Sequence, residues 1–514
     1  MSEQSRIGTS FAVHQVPGDP KNKVVLLVNP PVYDTQYWAR WSQPYGLLRI
    51  SSLLAKHGYK RRELFDFMGV DGEGRVPRHR ISVGESYGER EQPTRPAMPW
   101  HIAKNGQVLS LWKFHFGKTW AQFETWLDDH GFTSEKPPDE VWISAVMTYW
   151  WESVRDLISR IRRRFGKRTT IILGGIYPTL CPEHAAQFTD ADLVVVGEVQ
   201  EANNLWPDLS LYEKPPTYAI VTPSRGCPYN CSYCAQRTIN GGHRSVRYRT
   251  AEDIVAEMRH QHETYGICEF AFYADFLLWD VESNFQRVLE LLVADKSRHL
   301  HLHAPEGLDV RCLSKSQRLV DLMKAAHFEK VYLPVESIDE GYLRTMGRTH
   351  VTVRHFIDAV KRCEQAGFRL RNLDVNTFVL YGLPQERIER VVQTVLFVSE
   401  VVGSIIPMLF TPVPTTGVYA EHLPYFHERG WDHDLHMLNG KVYPFLEMNE
   451  GSLEDYIDLQ RLMFMLNAQY RDRSFQLFGA TEVARAFRHN LNNGFAESMF
   501  DLDEDVSSLA NRKS

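Results

Sequence analysis

The chain has 514 residues, with 58 Lys plus Arg against 64 Asp plus Glu, seven Cys and 43% hydrophobic content, so about three domains are expected. A net charge of -6 is mild for that length and gives no reason to expect a nucleic-acid or membrane partner. The apolar runs fall far short of the ~20 residues of a membrane span, residues 1–15 lack a secretory core, and sparse thiols fit a reducing cytoplasm.

A buried-type strand is expected over 24–28, ended by Asn29-Pro30-Pro31. Leu47, Leu48, Ile50, Leu53 and Leu54 then mark the apolar face of a helix over 47–57, which Gly58 stops. The alternation resumes with a strand at 141–144 and a helix over 154–165. A strand at 170–173 follows and ends in Gly174-Gly175, and one at 193–196 ends in Gly197-Glu198. Glycines at strand carboxyl ends read as an open parallel sheet that binds ligands there. The run Arg160 to Arg164 closes a helix, where cations complement the dipole, and reads as a solvated face.

Residues 70–138 form a polar insertion that nonetheless carries Trp100, Trp112, Phe114, Phe116, Trp120, Phe123 and Trp126. It is either a surface excursion with a small helix over 120–126 or a cap over the ligand edge. The cap is slightly preferred, because long inserts of this kind are often lids.

From Tyr218 short strands alternate with helices such as 251–264 and 281–294. The strands are expected at 218–221, 270–273, 299–303, 331–335, 375–380 and 405–410. Six βα units without a returning hairpin favour a parallel barrel or partial barrel. His299, His301 and His303 alternate on the third of these and read as hydrogen-bonded groups rather than metal ligands. Asp309 and Arg311 follow that strand at the active-site end, where they can meet substrate. Beyond Pro412 the sequence turns aromatic and helical, especially over 453–470, and 501–514 reads as a frayed tail. The expected domains are 1–207, 208–418 and 419–514.

Directly after the first barrel strand comes Cys227-Pro-Tyr-Asn-Cys231-Ser-Tyr233-Cys234, three thiols in one tight loop. Iron–sulfur clusters are usually held by four thiolates. The other cysteines, Cys181, Cys268, Cys312 and Cys363, are isolated, so three local ligands imply a 4Fe-4S cluster with one iron open to a small molecule. A structural zinc site would want a fourth ligand at matched spacing, and His243 is the nearest candidate.

This loop resembles the signature of the radical S-adenosylmethionine (SAM) superfamily, and the domain order resembles its cobalamin-binding subfamily, class B. The matching residues run from Val24 to Arg471 and include Leu173-Gly174-Gly175, Val196-Gly197-Glu198, Leu333-Pro334-Val335-Glu336-Ser337, Met346-Gly347-Arg348, Leu380-Tyr381-Gly382-Leu383-Pro384 and Phe410-Thr411-Pro412. The resemblance implies a Rossmann-like cobalamin-binding-type domain, a radical SAM partial (β/α)6 barrel and a mainly helical C-terminal appendage. It also implies that Cys227, Cys231 and Cys234 bind three irons while the fourth chelates SAM. Tyr233 would line the adenine, and Ala274 and Asp275 would meet the SAM amino group through backbone carbonyls, although the usual two glycines are missing. Glu336 and Ser337 would meet the ribose, and Arg348 the SAM carboxylate. Gly174, Gly175, Gly197 and Glu198 would contact cobalamin, the alternative for the glycines being simple sheet-end turning.

The loop from Asn29 to Gln36 contains no His, so histidine ligation of cobalt from that usual place is excluded. Thr148-Tyr149-Trp150-Trp151 lies near the expected lower corrin face, as packing against cobalamin, as filler of an emptied site or as core. The expected activity is methyl transfer to an unactivated carbon or phosphorus of a small molecule, through a 5′-deoxyadenosyl radical and methylcobalamin, with a flavodoxin- or ferredoxin-type reductant. Cyclisation, oxidation or rearrangement without methyl transfer is the second reading, and a non-catalytic iron–sulfur protein the third. A methylthiotransferase is disfavoured, because the first domain holds only Cys181.

Overall fold

The computed structural model describes residues 7–8, 18–35, 41–69, 100–111, 113–282, 284–295, 299–370 and 374–471. Gln36, Trp112, the insertion segment 70–99 and the tail 501–514 lie outside them.

The N-terminal domain is built on five parallel strands: β1 (Val24–Asn29), β2 (Arg61–Asp66), β3 (Glu140–Ala145), β4 (Thr170–Gly175) and β5 (Leu193–Val195). Their spatial order is β5-β4-β3-β1-β2, with the short strand Ile7–Gly8 added beside β5. This is the flavodoxin-like order, whose ligand position is the switch point between β1 and β3. In β1 only the first residue is not buried, as expected of a central strand covered on both faces. The sequence reading omitted β2, because its opening Arg61-Arg62-Glu63 is polar and only Leu64 to Asp66 is buried.

The helix Trp151–Phe165 covers one face. Its basic end is not a solvated face. Arg162 contacts Asp190 and Asp192, Arg164 contacts Glu124 and Asp128, and Arg160 lies 4.4 Å from the centroid of the Trp120 ring. Long cationic side chains lay their stems along apolar surface and reach carboxylates on the neighbouring segments. The helix Trp120–Asp129 begins with a capping box between Thr119 and Gln122.

The described part of the insertion does two things. Phe114–Phe116 pairs antiparallel with Val32–Asp34 at the carboxyl end of β1, and the hairpin of Trp100–Lys104 and Gln107–Leu111 reaches the C-terminal helix Leu453–Arg471. Lys104 donates to the carbonyls of Asn449 and Gly451 there.

The second domain holds β6 (Tyr218–Val221), β7 (Glu269–Phe272), β8 (His301–His303), β9 (Val331–Glu336), β10 (Val375–Tyr381) and β11 (Ile405–Leu409). They form two parallel three-stranded sheets, β6-β7-β8 and β9-β10-β11, joined by a parallel bridge between Leu302 and Phe328. The result is a partial (β/α)6 barrel with two free edges. His301 and His303 pair with Glu329 and Glu269 across neighbouring segments.

Each edge is capped by a primary amide. Gln43, from the N-terminal domain, accepts from Ile220 N–H (3.1 Å) and donates to the Tyr218 carbonyl (3.4 Å) on β6. Asn467, on the C-terminal helix, accepts from Ile405 N–H (2.8 Å) and donates to its carbonyl (2.6 Å) on β11. A side-chain amide offers the donor and acceptor that a missing strand would supply. The short helices between Gly417 and Met448 pack Val418, Phe426, Leu438 and Phe445 into the same apolar cluster as Leu26, Val28 and Ile143, so the appendage bridges the two domains.

Asn467→Ala leaves Ile405 N–H and C=O buried without partners and should destabilise the chain by about 1–3 kcal/mol. Denaturant unfolding measures the loss, and faster hydrogen exchange at the Ile405 amide localises it.

Candidate active site

The cysteine loop leaves β6 at its carboxyl end and is clamped on three sides. Asp275, just beyond β7, accepts from Gly226 N–H (2.6 Å) and from Asn240 Nδ2 (2.9 Å), fixing the start of the loop. Gly226 has φ +100°, and a Cβ there would lie 2.2 Å from the Ser245 carbonyl oxygen. Ser232 N–H donates to the Met346 carbonyl, and Val418 N–H donates to that of Ser232, both at 2.9 Å. A Cβ on Gly347 would come within 2.8 Å of the Asn230 carbonyl. Four distant parts of the chain thus hold one loop.

Burial pushes the Cys227 thiol up to about 12 and the Cys234 thiol up to about 11, and raises that of Cys231. Cys227 feels the charge of Cys234 and Cys231, and Cys234 that of Cys231. Thiols raised in this way ionise in company with a cation. Among the described residues, no three His, Cys, Asp or Glu side chains converge on a single metal ion. Thiols that each take a different iron need not converge, whereas zinc ligands must, and His243 is exposed beyond the loop.

Beside the loop lies a cleft lined by Tyr233, Glu336, Ser337, Tyr342, Met346 and Leu380, among others. Arg348 is 9% exposed and donates to Tyr233 OH (3.2 Å) and to the Pro334 carbonyl (2.5 Å), with Glu336 at 3.9 Å. It is therefore no surface arginine, and its Nε has no partner. Glu336 sits at a register shift between β9 and β10 and has φ +63°, a backbone region that costs a non-glycine residue free energy. The bulge aims its carboxylate into the cleft instead of along the sheet. Burial raises its pKa, and the Arg348 charge opposes that. Ser337 Oγ accepts from Asp339 N–H (3.1 Å).

Tyr233, Glu336, Ser337 and Arg348 come together here, and Asp275, which follows Ala274 in sequence, stands at the start of the loop. The Asp275 side chain holds the cysteine loop, a role absent from the sequence reading because its partners lie 49 and 35 residues away. Asp309 and Arg311 do reach the cysteine loop, on the side of Tyr229. Asp309 caps the helix Val310–Lys315, and Arg311 lies 5.5 Å from the centroid of the Tyr229 ring, on which His350 stacks at 3.5 Å and Phe276 packs edge-on at 5.4 Å. Another cavity, lined by Arg259, His299 and His327, lies at the amino end of β8, away from the thiols.

At the switch point of the first domain, Asp34 is fully buried. It accepts from Trp150 Nε1 (2.9 Å) and Asn439 Nδ2 (3.2 Å), with Lys441 at 2.8 Å. Trp151 is core, at 4% exposure. The insertion does bring a histidine to this edge, His115, but its ring packs with Tyr33, Phe67 and Trp120 in the domain interior. The two strand-end glycines of β4 differ. Gly175 has φ +106° and a Cβ there would lie 2.4 Å from the Ala145 carbonyl, so the sheet itself demands glycine. Gly174 would meet only Val195, at 3.8 Å, and the protein alone leaves room for a side chain. Gly197 N–H donates to Thr179 Oγ1, and Glu198 accepts from Asn203 and from Arg247 of the barrel.

Anaerobic reconstitution should give about four iron and four sulfide per chain, lost when Cys227, Cys231 and Cys234 are all Ala, and kept in single variants of the other four cysteines. Asp275→Ala should lower the iron content, and Asp275→Asn, which keeps an acceptor for Gly226 N–H, should restore most of it. Glu336→Ala should weaken SAM binding by roughly 1–3 kcal/mol in calorimetry.

Residues 221–398 match the family model of the radical SAM superfamily. An uncharacterized methyltransferase of Pyrococcus horikoshii is 28% identical over 190 residues, 36% of this chain and 37% of that one. A tRNA-2-methylthio-N(6)-dimethylallyladenosine synthase of Sulfurihydrogenibium is 23% identical over 55% of this chain and 60% of its own length. The bacteriochlorophyllide d C-12(1)-methyltransferase of Chlorobaculum tepidum is 20% identical over 57% of this chain and 68% of its own. The first two alignments span less than two thirds of those relatives' own lengths. Among solved structures, the radical SAM methyltransferase TsrM of Kitasatospora setae shares the fold at TM-score 0.53 and 16% identity, over 79% of this chain and 76% of that one. The three-cysteine loop thus stands at the mouth of a parallel partial barrel, and residues 221–398 of that barrel are similar to the radical SAM superfamily.

Proposed function

We propose that the protein is a cobalamin-dependent methyltransferase of this superfamily, acting on an unactivated carbon or phosphorus of a small molecule. The observation that carries the reading is the cleft of Tyr233, Glu336 and Ser337 beside the three thiols, with a flavodoxin-like sheet tied to the same barrel. When bound, the cluster and SAM supply a 5′-deoxyadenosyl radical and cobalamin supplies the methyl group. Several relatives carry names of this chemistry, including a hopanoid C-2 methylase and a cytidylyl-2-hydroxyethylphosphonate methyltransferase, and a TsrM structure holds cobalamin and the cluster.

The chain's own residues orient and enclose. Cys227, Cys231 and Cys234 hold three irons, Glu336 and Ser337 accept the ribose hydroxyls, and Tyr233, braced by Arg348, flanks the adenine. Backbone carbonyls of Ala274 and Asp275 receive the SAM amino group. Gly174 leaves the sheet end open to a flat macrocycle, while Gly175, Gly197 and Glu198 shape the rim on which it rests. The expected domains, 1–207, 208–418 and 419–514, correspond in this reading to carrier, radical and bridging parts. Seven unpaired cysteines support a reducing, cytoplasmic location, with an acidic flavodoxin or ferredoxin as the electron donor. Among the described residues no helix is long and apolar enough to cross a membrane. Methylthio transfer is disfavoured, because Cys181 is buried alone and burial pushes its thiol up to about 12.

The test is an anaerobic assay of the reconstituted chain with a reductant. 5′-Deoxyadenosine is expected with or without cobalamin, and S-adenosylhomocysteine only with it. Hydroxocobalamin should co-purify near one per chain with a base-off spectrum, because His115 faces the core. Gly174→Val should abolish that retention and spare the iron, whereas Gly175 is unsuited to this test because its substitution breaks the sheet end. A chain that keeps its cluster and takes up no cobalamin would refute methyl transfer and leave the cobalamin-independent reading.

A further inference from the structure

Between Cys227 and Thr250 the sequence carries four arginines and no Asp or Glu, in a chain whose net charge is -6. The fold gathers part of this segment beside the cysteine loop. Asn230, in the middle of the loop between two of the thiols, is exposed, and Arg237 donates to its Oδ1 at 3.2 Å. Residues Gly241 to Ser245 are exposed in sequence, His243 and Arg244 among them. They lead into the two-stranded ribbon of Ser224–Arg225 with Arg247–Tyr248, and the Ser245 carbonyl just before it lies against Gly226. The cluster loop therefore meets solvent on a face whose free charges are positive. Arg247 and Arg249 are already matched, by Glu198 and by Asp253 with Glu257. Arg237 and Arg244 are not matched by any carboxylate among the ion pairs of the described residues.

We infer that this face, centred on Arg237, Asn230 and Arg244, is the docking surface for an acidic one-electron donor protein of the flavodoxin type. The inference rests on the cluster assignment proposed above and adds the place where the electron enters. Redox encounters use small, polar, electrostatically steered interfaces, and a few unmatched cations around a short exposed loop are of that scale. A nucleic acid would want a longer basic track than this net-acidic chain presents. The step is a one-electron transfer: flavodoxin hydroquinone is oxidised to its semiquinone and the cluster gains the electron, with no bond made or broken in the protein.

The experiment is anaerobic stopped-flow bleaching of the reconstituted cluster by flavodoxin hydroquinone and, separately, by dithionite, in wild type, R237E/R244E, R237Q/R244Q and the remote control R163E/R168E. The flavodoxin rate constant should fall roughly tenfold in the charge reversal, less in the Gln pair, and with rising salt in wild type. The remote control, which changes the net charge equally, should stay near wild type, and dithionite should reduce all four alike. Equal flavodoxin rates in all variants would overturn the inference, as would a parallel loss with dithionite, which would place the arginines in cluster integrity instead. Arginine-dependent binding of bulk tRNA without an effect on flavodoxin would reassign the face to nucleic acid and also overturn it. A wild-type chain that dithionite cannot bleach would contradict the cluster assignment itself and take the docking surface with it.

Discussion

Six parallel strands that stop short of a closed barrel leave two edges of unpaired backbone, and the proposed function needs that opening kept. A closed barrel would fill its centre with side chains, whereas an open one leaves a mouth wide enough for a cluster and a nucleoside. Gln43 and Asn467 satisfy the two edges, and both come from outside the barrel. The first domain and the C-terminal helix are thus part of what lets the barrel stay open.

The same economy runs through the site. Asp275 holds the start of the cysteine loop, Met346 and Val418 hold its middle, and Arg348 ties Tyr233 to β9. Each contact uses a polar group at least partly withdrawn from solvent, whose loss would leave its partner unsatisfied. Asp34 acts likewise between domains, gathering Trp150, Asn439 and Lys441 at the switch point. Glu198 accepts from Arg247 across the same boundary. The N-terminal sheet and the barrel mouth are therefore held in fixed register, which the proposed chemistry on a confined radical would require.

What could be read from the sequence was what is local. The alternating strands and helices and the three-thiol loop depend on spacing within a dozen residues. The strand Arg61–Asp66 escaped because half of it is polar, and the basic end of the helix Trp151–Phe165 read as solvated because its acidic partners lie 28 to 40 residues distant. Asp275 as a brace, Gln43 and Asn467 as edge caps and the bulge at Glu336 are products of tertiary approach, for which no local pattern exists. Gly174 and Gly175 are neighbours with the same appearance in sequence, and only the position of the Ala145 carbonyl separates a structural glycine from an open one.

The central claim is that the cysteine loop and the Tyr233–Glu336 cleft form one site, in which three thiols leave an iron free for SAM. Mössbauer spectroscopy of the chain reconstituted with iron-57 tests it directly. Addition of SAM should move the signal of about one iron in the four while the other three stay in place. A spectrum that excess SAM leaves unchanged, with the cluster intact, would contradict the account.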